Sequence, residues 1–163
     1  MLSLNKEAGM NVTIVYDSVF GNTTTVAREM ASALGPDHQV RLLPVAEAAG
    51  LVPDGIDLLI VGSPTRGFRP TPAIDEFSGG MGSGQGHRAA VFDTRLDPEE
   101  IHPAPLRWVI NAGGYAAQRI AQDLERHGYA IAGSAGFLVT GTEGPLKDGE
   151  VARARDWVRS LLP

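Results

Sequence analysis

Short apolar runs alternate along the chain with amphipathic segments. The runs at residues 12–16, 57–61, 88–92 and 136–140 are almost entirely apolar and have the length of buried strands. Residues 39–43 instead alternate between apolar and polar positions, which is typical of a strand at the edge of a sheet. The sequence therefore predicts five strands, with the alternating one at an edge.

Four segments between or after these strands have apolar positions at helical spacing. The first covers residues 23–34, and the second begins at Thr71, a good N-cap, with Pro72 at the first helical position. The third covers residues 116–127 and the fourth residues 149–162. Strands that alternate with helices predict an α/β domain of three layers, in which helices cover both faces of a doubly wound parallel sheet.

Folds of this kind bind ligands at the carboxyl ends of their strands, where the strand order reverses. The loops at residues 17–22, 63–70, 93–105 and 141–148 follow the four predicted strands that are mostly apolar. We therefore expect the functional residues to lie in these four loops.

The loop after the first strand has the chemistry of an anion site. Ser18, Asn22 and Thr23 offer side-chain hydrogen-bond donors, and Gly21 permits close approach of the backbone. The loop contains no Lys or Arg, but it leads into a helix N-terminus, whose unpaired amides and dipole favour a negative charge. A phosphate here would be held by amides and hydroxyls. Alternatively, Asn22 or Thr23 only caps the helix.

Length, composition and net charge exclude several classes of site and partner. The chain has 163 residues, which suits one domain, and no cysteine, which excludes disulfides, thiolate metal sites and cysteine nucleophiles. Its net charge of −5 argues against nucleic acid or a membrane surface as a partner. No apolar run approaches the ~20 residues of a membrane span. We expect a cytoplasmic protein with a disordered lead at residues 1–10 and a single domain at residues 11–163.

The segment from Ile14 to Ala27, which reads IVYDSVFGNTTTVA, resembles the signature of the flavodoxin family. The resemblance implies a parallel sheet in the order 2-1-3-4-5 and a non-covalently bound FMN. In that family this segment wraps the FMN phosphate, which implies contacts from Ser18, Val19, Phe20, Gly21, Asn22 and Thr23. Many flavodoxins have a hydroxyl residue in place of Phe20, so one hydrogen bond of about 0.5–1.5 kcal/mol is missing here.

The loop after the third strand is similar to the flavin-facing loop of flavodoxins. The resemblance implies cofactor contacts from Ser63, Pro64, Thr65, Arg66, Gly67 and Phe68. Its Pro-Thr-Arg element also resembles the loop of flavodoxin-like NAD(P)H:quinone reductases. An exposed aromatic ring in such a loop is suited to stack on a planar ligand. Alternatively, Phe68 packs against the next helix.

In flavodoxin-like domains, the loop after the fourth strand contacts the pyrimidine edge of the flavin. The resemblance implies this role for Asp93, Thr94 and Arg95. Typical flavodoxins place a stacking tyrosine later in this loop, but residues 96–106 contain none, and His102 and Trp108 are the nearest candidates. We expect Trp108 to lie in the core or beside a helix, which leaves one flavin face open to a hydride donor or a quinone.

These features favour an FMN-binding redox protein that exchanges electrons with a redox partner protein or a small acceptor such as a quinone. Two alternatives remain. One is a flavodoxin-like NAD(P)H:quinone oxidoreductase, and the other is an interaction or sensor module of the same fold with weak or no FMN binding. Arg66, Arg69 and Arg95 lie on the candidate flavin loops and are expected to raise the midpoint potential of the flavin. Alternatively, these arginines point to solvent and pair with carboxylates.

Overall fold

A parallel sheet forms the centre of the fold in the computed structural model, which describes residues 9–163. In this range the five strands are β1 (Asn11–Tyr16), β2 (Gln39–Pro44), β3 (Leu58–Pro64), β4 (Arg88–Leu96) and β5 (Ala130–Val139). All neighbouring strands are parallel, and their order is β2-β1-β3-β4-β5. The predicted sheet and its strand order are confirmed. Most of the lead predicted at residues 1–10 lies outside the described residues.

In the described part of the chain, four helices cover the two faces of the sheet and a fifth follows β4 at its carboxyl edge. The helices are α1 (Asn22–Leu34), α2 (Pro72–Gly79), α3 (Pro105–Gly113), α4 (Ala116–Arg126) and α5 (Glu150–Ser160). Buried residues of α1 and α5 pack on one face of the sheet, and those of α2 and α4 pack on the other. Along β3, Leu58 and Ile60 face the α1–α5 layer, whereas Leu59 and Val61 face the α2–α4 layer. The predicted three-layer arrangement is therefore confirmed.

Helix α3 lies in a region for which the sequence pattern predicts no helix. Leu106, Val109 and Ile110 have helical spacing on α3, but none of the side chains of this helix is buried against the core. Trp108 lies in α3 with 77% of its surface exposed. The prediction of a core position for Trp108 is therefore wrong.

None of the helices within residues 9–163 combines the length and the apolar character needed to cross a bilayer. In the same range, no group of three or more His, Asp or Glu side chains is arranged to hold a metal ion.

Candidate functional site

A cavity of about 310 Å³ opens at the carboxyl edge of the sheet. The ends of β3, β4 and β5, the start of α1 and the loops after β1, β3 and β5 form its walls. Most of these residues lie in the four segments in which the sequence predicts functional residues. The cavity is lined by Ser18, Val19, Phe20, Asn22, Thr23, Pro64, Thr65, Arg66, Gly67, Thr94, Arg95, Leu96, Val139, Gly141 and Thr142. Four separate segments thus surround one space that is large enough for a small ligand.

The loop between β1 and α1 curls around the Ser18 hydroxyl. Ser18 Oγ accepts hydrogen bonds from the backbone N–H groups of Gly21 (3.1 Å) and Thr24 (3.4 Å). Gly21 is the N-cap of α1 and has a φ of 95°, a left-handed conformation that favours glycine. The Asn22 side-chain amide donates to the Glu143 carbonyl (3.0 Å), which joins this loop to the loop after β5.

Helix α1 has no side-chain cap at its N-terminus. The Thr23 hydroxyl instead forms a hydrogen bond of 2.8 Å with the Thr94 hydroxyl on β4. The alternative in which Asn22 or Thr23 only caps the helix is therefore wrong. Within residues 9–163, no protein group accepts a hydrogen bond from the backbone N–H of Val19, Phe20, Asn22 or Thr23. Four free donors at the positive end of a helix form a favourable position for an anion.

The loop after β3 makes a tight turn at the mouth of the cavity. Two backbone hydrogen bonds of 2.8 and 3.1 Å join Arg66 and Arg69. Gly67 and Phe68 between them have left-handed φ values of 54° and 68°. The Arg66 guanidinium lies 5.5 Å from the centre of the Phe20 ring, so this turn contacts the loop after β1 across the cavity mouth.

A second cavity of about 220 Å³ adjoins the first. Thr65, Gly67, Arg95 and Leu96 line both cavities, and the second is completed by Phe68, Ile101, Ile110 and Tyr115. The Phe68 ring also lies directly against Gly113 at the end of α3. The two cavities together form a site with free backbone donors at one end and aromatic and aliphatic side chains at the other.

Asp93 lies behind the cavity wall. Its buried carboxylate accepts two hydrogen bonds from Arg95, at 2.7 and 2.8 Å, and one from the backbone N–H of Ala117, at 2.9 Å. Burial raises the pKa of the Asp93 carboxyl above its ordinary value, and the Arg95 guanidinium opposes this rise. Arg95 Cζ in turn lies 3.7 Å from the centre of the Tyr115 ring. Arg95 is therefore fixed as part of the wall, and Asp93 balances its charge.

Four of the predicted cofactor residues do not line the main cavity: Gly21, Ser63, Phe68 and Asp93. Gly21 shapes the first loop, and Phe68 lines the second cavity. Ser63 is buried and its hydroxyl accepts a hydrogen bond of 3.0 Å from the backbone N–H of Thr71 before α2. Ser63 and Asp93 thus support the wall from behind.

Sequence reasoning missed several residues of the two cavities, namely Leu96, Ile101, Ile110, Tyr115, Val139, Gly141 and Thr142. The position of residues 141–148 after the fifth strand marks that loop as functional, but no residue type in it points to a ligand. Tyr115 is the N-cap of α4. This tyrosine lies at the second cavity, although it is outside residues 96–106, where the family pattern leads one to seek a stacking tyrosine.

An ion pair ties the loop after β4 to the loop after β5. Lys147 Nζ lies 2.8 Å from Asp97 Oδ2. The hydrogen bond from Lys147 lowers the pKa of Asp97 below its ordinary value, and the same bond raises the pKa of Lys147. Both shifts favour the charged pair, which holds together two of the segments that surround the main cavity.

Solved structures of similar shape define the class of fold. Flavodoxin 2 from Bacillus cereus is similar with a TM-score of 0.65 at 17% identity, over 93% of this chain and 97% of that one. A Fusobacterium nucleatum flavodoxin bound to flavin mononucleotide is similar with a TM-score of 0.63 at 12% identity, over 93% of this chain and 96% of that one. Rubredoxin oxygen:oxidoreductase from Desulfovibrio gigas is similar with a TM-score of 0.62 at 17% identity, over 95% of this chain and 36% of that one.

The chain therefore has the flavodoxin-like fold, as its sequence predicts. At these identities the likeness is one of fold alone. No protein-family profile matches the sequence, and no curated protein matches it.

Proposed function

We propose that this chain is an FMN-binding redox protein that passes electrons through a non-covalently bound flavin. The proposal is carried by the loop after β1, whose four free backbone donors lie at the polar end of the site. FMN has a phosphate at one end and a planar aromatic ring system at the other, and the site has matching polarity at its two ends. The Fusobacterium nucleatum flavodoxin of similar fold was bound to flavin mononucleotide, which supports this choice of ligand.

The polar end would hold the phosphate without a cationic side chain. Residues 17–24 contain no Lys or Arg, so backbone amides and the dipole of α1 would meet the negative charge. The Ser18 hydroxyl keeps the loop curled, and the hydrogen bond between Thr23 and Thr94 fixes it to β4. These contacts preorganise the donors before a ligand binds.

The apolar end would shield the flavin ring from water through Phe68, Ile110 and Tyr115. FMN supplies one- and two-electron chemistry when it is bound, so no side-chain acid or base is needed. The protein sets the local charge. Arg95 is balanced by Asp93, whereas Arg66 has no carboxylate within 4.0 Å among residues 9–163. Arg66 is therefore the cavity-lining cation that would favour a reduced, more negative flavin.

The proposal is tested by adding an excess of FMN or riboflavin to the purified chain, desalting, and recording the visible absorbance. We expect a retained flavin band with FMN, and release of FMN on heating. Riboflavin lacks the phosphate, so we expect it to bind at least about tenfold more weakly, which corresponds to about 1.4 kcal/mol. A colourless protein, or equal affinity for the two ligands, would contradict the proposed phosphate site.

The alternative functions give different results with the same material. An interaction or sensor module of this fold, which the absence of a hydroxyl at Phe20 favours, would retain no FMN. A flavodoxin-like NAD(P)H:quinone oxidoreductase, which the Pro-Thr-Arg element at residues 64–66 favours, would retain FMN and consume NAD(P)H when a quinone is added. An electron carrier would retain FMN without that consumption.

A further inference from the structure

Exposed apolar side chains are concentrated around the mouth of the candidate site. In the part of the chain that the structure describes, seven large apolar residues are exposed, and all but Val52 lie on the loops after β1 and β3 or on α3. Trp108 is the most exposed of them, at 77%. Clusters of exposed apolar residues on a protein surface mark interaction sites.

Four of these residues lie on helix α3 or directly beside it. Leu106, Trp108 and Val109 lie on the helix itself, and the Phe68 ring lies directly against Gly113 at its end. We call the set of Phe68, Leu106, Trp108 and Val109 the α3 patch. The α3 patch adjoins the second cavity, because Phe68 belongs to both.

Four arginines lie around the α3 patch. Arg66 and Arg69 flank Phe68 in its turn, Arg107 lies on α3, and Arg119 Nε donates to the Phe68 carbonyl (3.0 Å). None of the four has a carboxylate within 4.0 Å among residues 9–163. Arg107 donates to the Glu99 and Ile101 carbonyls (both 3.3 Å), whereas Arg66 and Arg69 are exposed and available to a partner.

The charge around the α3 patch is opposite to that of the whole chain. Against these four arginines, the turn before α3 carries two acidic residues, Glu99 and Glu100. The chain as a whole has a net charge of −5. A partner would therefore meet an apolar centre with a positive rim on an otherwise acidic protein.

We propose that the α3 patch docks an electron-transfer protein through a negatively charged face with an apolar centre. The inference rests on the proposed flavin site, because the patch lies beside the cavity in which the flavin ring would lie. A second copy of this chain is disfavoured, since a two-fold interface would set the same arginines against each other. The vesicle measurement below distinguishes an anionic membrane from a protein partner.

The test measures the binding of two small redox proteins of opposite charge by calorimetry, an acidic ferredoxin and a basic cytochrome c. The full chain is used both without FMN and saturated with FMN. We expect ferredoxin to bind both forms at about 0.1 M salt and to be released at about 1 M salt, where the Debye length falls from about 10 Å to about 3 Å. Any binding of cytochrome c is expected to be independent of the α3 patch.

Two variants and two controls locate the binding surface. Trp108→Ala removes the centre of the patch and Arg69→Gln removes one rim charge. Val52→Ala and Arg41→Gln remove an exposed apolar side chain and an exposed arginine elsewhere. We expect Trp108→Ala to weaken ferredoxin binding at least about tenfold and Arg69→Gln about threefold, with both controls unchanged.

Several results would overturn the proposal: no binding of ferredoxin, equal binding by Trp108→Ala, Trp108-dependent dimers in sedimentation, or Trp108-dependent binding to phosphatidylserine vesicles. Measurements on the FMN-free and the FMN-saturated chain distinguish failure of the docking proposal from failure of the proposed flavin function. If FMN is retained but ferredoxin does not bind, the docking site is rejected. If FMN is not retained but ferredoxin binding depends on Trp108, the flavin function is rejected and the docking surface stands.

Discussion

The Asp93 carboxylate and the Arg95 guanidinium form a two-point ion pair, in which Nε and one terminal nitrogen lie 2.7 and 2.8 Å from the two carboxylate oxygens. Asp93 is fully buried, whereas Arg95 reaches the wall of both cavities. A separation of two residues along β4 places both side chains on the same face of the strand. The pair therefore joins the core to the site and removes a net charge from its wall.

Breaking this pair is expected to destabilise the fold. Arg95→Gln leaves a buried carboxylate without its charged partner, a change that costs about 3–5 kcal/mol when both groups are buried. We expect a loss of stability near the lower end of that range, because 21% of the Arg95 side chain is exposed to solvent. Urea unfolding of Arg95→Gln, Asp93→Asn and the double variant measures the effect. If the two single losses simply add in the double variant, the two side chains do not stabilise each other.

Gly21 and Gly149 give a matched test of the loop after β1. They are the N-caps of α1 and α5, with φ values of 95° and 89°, and a Cβ at either position would meet no neighbouring atom. Alanine at each position therefore costs mainly left-handed backbone strain, about 1 kcal/mol. We expect similar losses of stability in urea for both variants, but weaker FMN binding for Gly21→Ala alone. Equal FMN affinity in the two variants would contradict a phosphate position in this loop.

Residues that face a core can be predicted from the sequence, and residues that face solvent cannot. The run at β3 alternates Leu58 and Ile60 with Leu59 and Val61, so it predicts a strand covered on both faces. Helix α3 also has apolar residues at helical spacing, Leu106, Val109 and Ile110, but it is only nine residues long and buries none of its side chains, so Trp108 stays exposed. The fold could therefore be predicted except where an element packs weakly.

The same distinction applies to the candidate site. The donors at its polar end all lie within residues 19–23, where the first loop enters α1, so their spacing could be recognised. At the apolar end, Phe68 and Tyr115 line the same cavity because of the path that the chain takes through α3 and α4. No local sequence pattern specifies that path. The spacing of Asp93 and Arg95 places both side chains on one face of β4. The burial of the Asp93 carboxylate depends on α4, because this carboxylate accepts a hydrogen bond from the Ala117 N–H.

The ion pair between Asp97 and Lys147 gives the stability of the fold a dependence on pH. The hydrogen bond from Lys147 lowers the pKa of Asp97 in the folded chain below its ordinary value of 3.8. An acid with a lowered pKa contributes stability above its unfolded pKa and loses that contribution as the pH falls through the folded pKa. We expect Asp97→Asn to be less stable than the wild type in urea at neutral pH, and the difference to shrink below about pH 4. A difference that is constant with pH would show that the charge of Asp97 is not the cause.

The charge of Arg66 is expected to affect the flavin potential. The sequence suggests that Arg66, Arg69 and Arg95 raise it, but Asp93 balances Arg95 in the structure. Arg66 is exposed, so its effect corresponds to about 0.2–1 kcal/mol, or roughly 10–40 mV for one electron. We expect Arg66→Gln to lower the potential of bound FMN by that amount in a redox titration, and Arg41→Gln on β2 to leave it unchanged. An unchanged potential in Arg66→Gln would place this guanidinium away from the flavin.

Phe20 provides the sharpest test of whether FMN binds as proposed. The Phe20 ring is 44% exposed and contacts Arg66, and its position in the first loop is one at which many flavodoxins have a hydroxyl. Thr and Val have nearly the same shape, so Phe20→Thr and Phe20→Val both lose the contact with Arg66 and differ mainly by one hydroxyl. A hydrogen bond of about 0.5–1.5 kcal/mol from that hydroxyl to the phosphate would make FMN binding about twofold to tenfold tighter in the Thr variant than in the Val variant. Riboflavin should not distinguish the two variants, because it has no phosphate. If FMN also fails to distinguish them, the phosphate does not lie within reach of this loop position.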